Sequence, residues 1–462
     1  MTAPLWVKDS IFYQIFPDRF ANGDPANDPP NVQKWGSEPT IWGFQGGDLR
    51  GIVQHFDYLL DLGITALYLN PIFTAPSNHR YNTSDFYQID PKLGTLADFH
   101  LLVETAHRNE VRIILDGVFN HAGRGFFAFV DVLENGEHSP YKDWFHIKGF
   151  PLDAYSPGEL KNYLAWWNIK SLPKLNTSNK QVRKYIYDVA RYWIDQGIDG
   201  WRLDVPNEID DDDFWDEFRQ VIRAANREAY LLGEIWDINP RWVDGKHFDG
   251  LMNYPVRDAL GAILQGRENA TQFNSRIERL FKSYSDETMS AMYVPLDSHD
   301  TERFKTMVNG SVEKLKLAFL FQMAFPGAPA IYYGDEIGLE GGKDPDSRRA
   351  FPWKKSSWDH DLREWVKTLI SLRKRIPSLR RGDFRGLLAE DDLYIFSRNL
   401  GEDKVLVVLN TSSRARQIEV SCAPLGWHEG HEVKSLISGE KYTVGNDQIV
   451  LILAPWSGTW IG

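Results

Sequence analysis

Short apolar runs alternate with longer amphipathic stretches through most of this chain, and that rhythm constrains the fold more than any other feature. Strand candidates fall at residues 11–16, 64–70, 111–116, 198–204, 230–234, 250–253, 292–296 and 330–333. Between them, residues 95–109, 180–196, 214–228, 270–284 and 312–325 carry apolar positions at three- and four-residue steps, the period of a helix with one buried face. Strand then helix, repeated about eight times, requires a parallel sheet covered by helices. About eight units in roughly 370 residues fit a (β/α)8 barrel with insertions better than an open doubly wound sheet. An open sheet built for a dinucleotide would place a glycine-rich turn after its first strand. Here Pro17-Asp-Arg-Phe-Ala-Asn-Gly23 follows, without GxGxxG spacing.

One connection is too long for a simple loop. About 60 residues rich in Gly, Pro, aromatics and His separate Asp116 from the helix near Lys180, which predicts a small inserted subdomain. Beyond Pro377 the pattern becomes short alternating strands with turn residues, the mark of an antiparallel sandwich. The expected division is a barrel from residues 1–120 and 177–377, an inserted subdomain B at 121–176, and a C-terminal β-sandwich at 378–462. The acidic run Asp210–Asp213 suits a helix N-terminus, where negative charge complements the dipole.

Composition excludes several classes. With 52 Lys and Arg against 64 Asp and Glu, the net charge is −12, a poor match to a phosphate backbone, so nucleic acid is not the expected partner. The single cysteine, Cys422, allows neither an intrachain disulfide nor a Cys-based zinc site. The N-terminus lacks a basic segment followed by an apolar one, and no apolar stretch reaches about 20 residues. A cytoplasmic protein with no membrane partner is the expectation; the oligomeric state is open. Most of the 17 Trp, 19 Tyr and 26 Phe must belong to a large core, and a surplus of Trp also suits proteins that stack flat faces on sugar rings.

Barrel active sites lie at the C-terminal ends of the strands. The third strand candidate ends at Asp116, before Gly-Val-Phe-Asn120-His121. The fourth ends Arg202-Leu-Asp204, the fifth Gly233-Glu234-Ile-Trp236, and the seventh runs into Ser298-His299-Asp300. Four carboxylates, two histidines and an arginine therefore converge on one mouth. That set suits cleavage of an acetal, which needs one carboxylic acid to protonate the leaving oxygen and one carboxylate to act at the anomeric carbon. A serine hydrolase would show GxSxG and a zinc hydrolase HExxH; neither occurs.

These residues carry a resemblance. Asp116-Gly-Val-Phe-Asn-His121, Gly200-Trp-Arg-Leu-Asp204, Gly233-Glu-Ile-Trp236 and Ser298-His-Asp300 are similar to the motifs of the α-amylase superfamily. Gly46-Gly-Asp-Leu-Arg-Gly-Ile52, Leu172-Pro-Lys-Leu-Asn176 and the segment Pro326 to Gly338 extend the match, and Leu172–Asn176 points to the neopullulanase, cyclomaltodextrinase and maltogenic amylase group. The resemblance implies a retaining α-glucan hydrolase acting on α-1,4 and also α-1,6 bonds of maltooligosaccharides, cyclodextrins, pullulan or branched glucans. Asp204 would be the nucleophile, Glu234 the general acid and base, and Asp300 the holder of sugar hydroxyls. Arg202 would keep Asp204 ionised, and His121 and His299 would contact the sugar in the −1 site above a Tyr81 platform. Val205, Asn207, Glu208 and Trp236 would line the acceptor side, and Asp344 and Arg348 the donor side. Asn82 and Asp237 stand where the family commonly has Asp and His.

Asn22, Asp24, Asn27 and Asp28 crowd hard oxygen donors into one loop, which suits Ca²⁺ better than zinc; a self-bonded Asx turn is the other reading. The resemblance adds Gly46 and Asp48 to that structural calcium site. No organic cofactor is implied. Relatives usually precede the barrel with a sandwich domain, whereas here the first barrel strand starts near residue 11, so an open cleft is expected. Two rivals stand beside hydrolysis: transglycosylation through the same glycosyl-enzyme, and a non-catalytic glucan-binding barrel.

Overall fold

The computed structural model describes residues 3–462. Eight strands run parallel in one sheet: β1 (Phe12–Ile15), β2 (Ala66–Leu69), β3 (Arg112–Gly117), β4 (Gly200–Leu203), β5 (Tyr230–Gly233), β6 (Gly250–Leu251), β7 (Tyr293–Pro295) and β8 (Ala328–Tyr332). Each pairs with its chain neighbour, β8 returns to β1, and a parallel bridge from Met252 to Tyr293 spans the gap between β6 and β7. The expected barrel is therefore what forms, with strand ends moved by one or two residues. No helix among the described residues is long and apolar enough to cross a membrane.

Side-chain alternation along the strands separates two environments. Tyr13, Ile15, Leu67, Leu69, Ile113, Leu115, Trp201 and Leu203 point outward into the main core beneath the helices. The opposite parity fills the barrel, where Phe12, Ala66, Tyr68, Ile114, Tyr230, Leu232, Tyr293 and Ala330 form a separate apolar cluster. Further along the same parity the residues turn polar: Gln14 on β1, Asn70 after β2, Asp116 on β3, Arg202 on β4 and Glu234 after β5. One end of the barrel is thus an apolar plug and the other a nest of ionisable groups.

The helices cap in ways their residues foretell. Thr95 and Asp98 close a capping box on the helix Leu96–Arg108, and Asp211 caps Asp212–Ala225, so the acidic run does sit at a helix N-terminus. Two longer helices lie outside the segments picked out by apolar period, although each starts at an Asx cap, Asn253 and Asp359. Tyr254–Leu264 is buried on nearly every side, which weakens the amphipathic period, whereas His360–Arg375 keeps Leu362, Val366, Leu369 and Ile370 on one buried face.

Between β3 and β4 the chain builds a small unit from a helix, Phe127–Asn135, and antiparallel bridges: His121 to Lys174, Phe145 to Leu175, Ile147 to Tyr163 and Ala165 to Pro173. After the barrel come β9 (Asp383–Glu390), β10 (Leu393–Leu400), β11 (Asp403–Asn410), β12 (Arg416–Ser421), β13 (Glu432–Lys434), β14 (Lys441–Thr443), β15 (Gln448–Leu453) and β16 (Ser457–Ile461). β9, β10, β11 and β16 make one antiparallel sheet, with β12–β15 and β13–β14 as separate pairs. β11 is buried on both faces: Leu406 and Val408 pack inside the sandwich, and Val405, Val407 and Leu409 against the barrel.

Two buried guanidinium groups lie where the barrel's last helices meet the C-terminal sheet, and Arg398 bridges the two. Arg373 donates to the carbonyls of Met323, Phe325, Gly327 and Leu379, and Arg398 on β10 to those of Ala324, Leu379, Gly382 and Asp383. Replacing Arg398 with Met would keep much of the volume and remove its bonds to the Ala324, Gly382 and Asp383 carbonyls, Leu379 keeping Arg373, at about 1–3 kcal/mol for each acceptor left without a partner that water cannot reach. Arg398→Met is expected to lower the thermal midpoint by several degrees, read by calorimetry; an unchanged midpoint would show that the bonds add nothing net.

Candidate active site

The polar end of the barrel is organised by Arg202, which is fully buried. In the register, Arg202 lies opposite Asp116 on β3 and Leu232 on β5. Its Nη1 donates to Asp116 Oδ1 at 2.8 Å and to Asp204 Oδ1 at 2.9 Å. Its Nη2 stands 2.8 Å from Glu234 Oε1 as an ion pair outside hydrogen-bond geometry. Leu203 pairs with Gly233, so Asp204 and Glu234 follow side by side on neighbouring strands. Adjacent strands lie about 4.8 Å apart, which is close to the roughly 5–5.5 Å between carboxyls in retaining glycosidases.

Val205 closes this corner. It adopts a left-handed φ of 36°, rare for a β-branched residue, and its N–H donates to Glu234 Oε2 at 3.0 Å. The strained turn thereby aims a backbone donor at the carboxylate.

Burial raises the Glu234 carboxyl to about 7 against the pull of Arg202. Burial also raises Asp204, again with Arg202 opposing and Glu234 adding to the rise. Two such neighbours titrate as a unit, because a charge on either raises the cost of a charge on the other. Each carboxyl keeps one hydrogen-bond donor that favours its charged form, Nη1 of Arg202 on Asp204 and the Val205 N–H on Glu234.

Asp300 is about a third exposed, the most open of the four carboxylates. His299 Nε2 lies 3.1 Å from it, Arg348 reaches it at 3.6 Å, and Arg348 also pairs with Asp344 at 3.1 Å. The two residues expected on the donor side therefore form one chain of charge with Asp300. Burial raises the Asp300 carboxyl, and Arg348 opposes that rise.

Tyr81 is held from several sides. Its hydroxyl donates to Asp116 Oδ2 at 2.7 Å, accepts from Asn70 Nδ2 at 3.1 Å, and meets His299 Nε2 at 2.6 Å. Because the hydroxyl proton goes to Asp116, His299 donates from Nε2, and its Nδ1 faces the Gln14 amide at 2.9 Å. Burial keeps both histidines neutral, lowering His299 well below its usual range and His121 to about 4. His121 contacts the Tyr81 carbonyl and the Asn120 amide, so both rings brace the tyrosine.

On the opposite flank Trp236, 45 % exposed, stacks on Tyr254 with centroids 3.9 Å apart and an interplanar angle of 2°. Glu208 pairs with Lys174 at 3.6 Å, and Asn207 is exposed beside it in the turn Pro206–Glu208. Thus Asp204, Glu234, Asp300, Tyr81, His121, Arg202, Val205, His299, Asp344 and Arg348 are linked by direct contacts, while Trp236, Asn207 and Glu208 line the rim. Sequence reasoning overlooked Gln14, Tyr68, Asn70 and Tyr254. The first three lie on or just past the ends of β1 and β2, and reading every strand end, not only the acidic ones, would have found them.

The loop expected to bind calcium lies apart from these groups. Asn22 donates to both oxygens of Asp28, at 2.9 and 3.0 Å, and the side-chain oxygens of Asn22 and Asn27 are buried without a partner. Gly46 has a φ of 85°, and a Cβ there would fall 2.3 Å from Asp28 Oδ1. Asp48 is already occupied, accepting from the amides of Gly23, Asp24 and Gly51. Among the described residues no group of three or more His, Cys, Asp or Glu gathers as a metal site, so any ion here would depend on amide and backbone oxygens as well.

Removing the central cation should expose its electrostatic role. Arg202→Leu leaves buried carboxylates uncompensated, at a cost of about 3–5 kcal/mol. Those carboxyls would then hold protons more tightly in the folded state than the ordinary value of about 4 in the unfolded chain. Stability of the variant should therefore fall as pH rises from about 4 through their raised folded values. Urea unfolding should show a larger loss against the parent at pH 8 than at pH 5; equal losses would mean that Arg202 acts through packing alone.

Comparison with known proteins agrees with this geometry. Residues 14–378 match the alpha amylase catalytic domain, and residues 384–460 the maltogenic amylase C-terminal domain. A cyclomaltodextrinase of Geobacillus thermopakistaniensis is 45 % identical over 98 % of this chain and 77 % of its own length. Among solved structures, the cyclic α-maltosyl-(1→6)-maltose hydrolase of Arthrobacter globiformis is 38 % identical with a TM-score of 0.91, covering all of both chains. The debranching enzyme of Nostoc punctiforme is 40 % identical with a TM-score of 0.90 over 100 % of this chain and 99 % of its own. With the family's catalytic domain matched over most of its length, this chain belongs to the α-amylase family of glycoside hydrolases.

Proposed function

We propose that this α-glucan hydrolase works by double displacement, with Asp204 as nucleophile and Glu234 as acid and then base. The observation that supports it is the adjacent pair Asp204 and Glu234 sharing the Arg202 guanidinium. In the first step an Asp204 oxygen bonds to the anomeric carbon. The bond to the leaving glucan oxygen breaks, and that oxygen takes the proton from Glu234. In the second step Glu234 takes a proton from water, the water oxygen bonds to the anomeric carbon, and the ester to Asp204 is released. Two inversions return the α configuration. Asp300, with Arg348 behind it, is placed to hold hydroxyls of the same sugar, and Tyr81 forms the floor.

α-Glucans with both α-1,4 and α-1,6 bonds are the proposed substrates. The likeness to a hydrolase whose structure holds an α-1,6-linked cyclic maltosyl-maltose, and to a debranching enzyme, supports the second bond type. Specificity is read by comparing kcat/KM on a singly branched maltooligosaccharide with that on a linear one of equal length. A preference for the linear substrate beyond about a hundredfold, roughly 2.7 kcal/mol, would reject α-1,6 cleavage.

The acid role has a signed pH dependence. Glu234 must carry its proton, and its carboxyl sits at about 7. Turnover limited by this acid should decline about tenfold per pH unit above that value. Glu234→Gln should lose most turnover on natural glucans yet spare some activity on substrates with activated leaving groups, whose departure needs no proton. Asp204→Asn should lose both. Full glucan turnover in Glu234→Gln, or a β-configured first product by NMR, would overturn the assignments.

For the loop at residues 22–28 we propose a structural Ca²⁺, held by the unpartnered Asn22 and Asn27 oxygens with Asp24, Asp28, Gly46 and Asp48 around it. All these donors are oxygen, the preference of a hard cation, which would supply charge balance and rigidity here. EDTA should lower the thermal midpoint and added Ca²⁺ restore it; a midpoint indifferent to both would remove the ion from the account.

A further inference from the structure

The inserted unit carries a stack of rings that leads outward from the site. Trp166 lies against His121, centroids 5.4 Å apart at 21°, and Trp167 lies on Trp166, centroids 4.5 Å apart at 8°. Trp167 is 76 % exposed, among the most open of the large apolar side chains described. His121 belongs to the brace around Tyr81, so the stack begins inside the active site and ends in solvent two ring contacts away.

The backbone bends to make this possible. Trp167 has a φ of 48° and Asn168 a φ of 58°, two successive non-glycine residues in the left-handed region. Strain of this kind persists where the surroundings impose it, and it clusters at functional sites. Trp166 also departs from habit, because its indole N–H is buried without an acceptor, whereas a buried indole usually finds one. Neither ring is placed by a hydrogen bond. They are placed by each other, between the Ala165–Pro173 bridge below and the His121–Lys174 bridge beside them. A turn that only had to reverse the chain would favour glycine and a polar side chain at its tip.

We infer that Trp167 is a stacking platform for a further glucose ring of the bound α-glucan, outside the pocket that holds the reacting sugar. The inference rests on the reading that the groove binds α-glucan, and names a subsite in it. The platform stands on the flank where Lys174 meets Glu208, its Nζ donating to the Glu208 carbonyl at 2.6 Å. A pyranose presents a flat face of C–H groups, and the outer face of Trp167 offers an indole surface of matching shape. The Trp166 and His121 rings beneath hold that surface rigid, so little freedom is lost when sugar lands on it. Trp167 is a binding residue in this account; it takes no part in bond making.

The test separates this platform from the general reading by measuring binding without turnover. In a Glu234→Gln background, calorimetry would compare maltose and maltohexaose with and without Trp167→Ala. The expected result is about a tenfold weaker Kd for maltohexaose, maltose unaffected, and near-complete rescue by Trp167→Phe. In the enzyme with Glu234 intact, KM for long glucans should rise by a similar factor with kcat nearly unchanged. If the Glu234→Gln protein binds no glucan at all, the function itself has been misread. If it binds maltohexaose equally well with and without Trp167, the platform is overturned while the function stands. If Trp167→Ala weakens maltose and maltohexaose alike, the ring acts by shaping the His121 pocket, and the separate subsite is likewise overturned.

Discussion

A single buried guanidinium holds the chemistry of this protein together. Arg202 lies inside a barrel whose lower half is an apolar plug, and the charges above it are anionic. Buried carboxylates repel one another and resist leaving water, so a cluster of them is tolerable only around a cation that is itself fixed. Arg202 meets that requirement because β4 is central in the sheet, with β3 supplying Asp116 on one side and β5 supplying Glu234 on the other. The cluster therefore depends on strand register: a shift of one residue would turn Arg202 into the helical layer and remove the cation from the acids.

The rest of the site can be understood as consequences of that placement. Asp116 takes one face of the guanidinium and passes the other side of its charge to Tyr68 and Tyr81. Tyr81 then becomes a fixed surface, braced by two histidines that burial keeps neutral. Neutrality matters there, since an imidazolium would draw charge away from Asp300 and Asp116 and would repel a cationic transition state. The strained Val205 turn joins the same system through Glu234. Electrostatics and shape are not separate features of this mouth; the residues that set one also set the other.

Much of this was legible beforehand, for identifiable reasons. Barrel strands are short and apolar on both faces, and their ends turn abruptly polar, so Asp204, Glu234 and Asp300 announce themselves by position as well as by motif. Asp344 and Arg348 came from resemblance, and their direct link to Asp300 appears only in three dimensions. Gln14 and Asn70 were passed over because only the charged strand ends were read, and Tyr254 because a phenol at the start of a helix is an ordinary residue until its partner is known. The helix Tyr254–Leu264 escaped notice for a related reason: a helix buried all round has no polar stripe to give its period away. Trp167 could be seen as one more aromatic, but its exposure depends on a backbone conformation that local sequence does not dictate.

The guanidinium groups of Arg373 and Arg398 have a consequence for how the chain comes to be folded. The segment feeding β8 has carbonyls at Met323, Ala324, Phe325 and Gly327 that are satisfied by side chains lying later in the sequence. β8 is the strand that returns to β1 and shuts the barrel. During synthesis the first seven strands emerge before those donors exist, and Arg398 belongs to the sheet made last. A nascent chain stopped at the end of the barrel would already hold Arg373 but would lack Arg398, the donor to the Ala324 carbonyl beside the closing segment, and β11, which packs against the barrel. The C-terminal sandwich therefore serves as the latch on the barrel, and the time between translating β8 and β10 is the interval in which this protein is most exposed to strand-edge association.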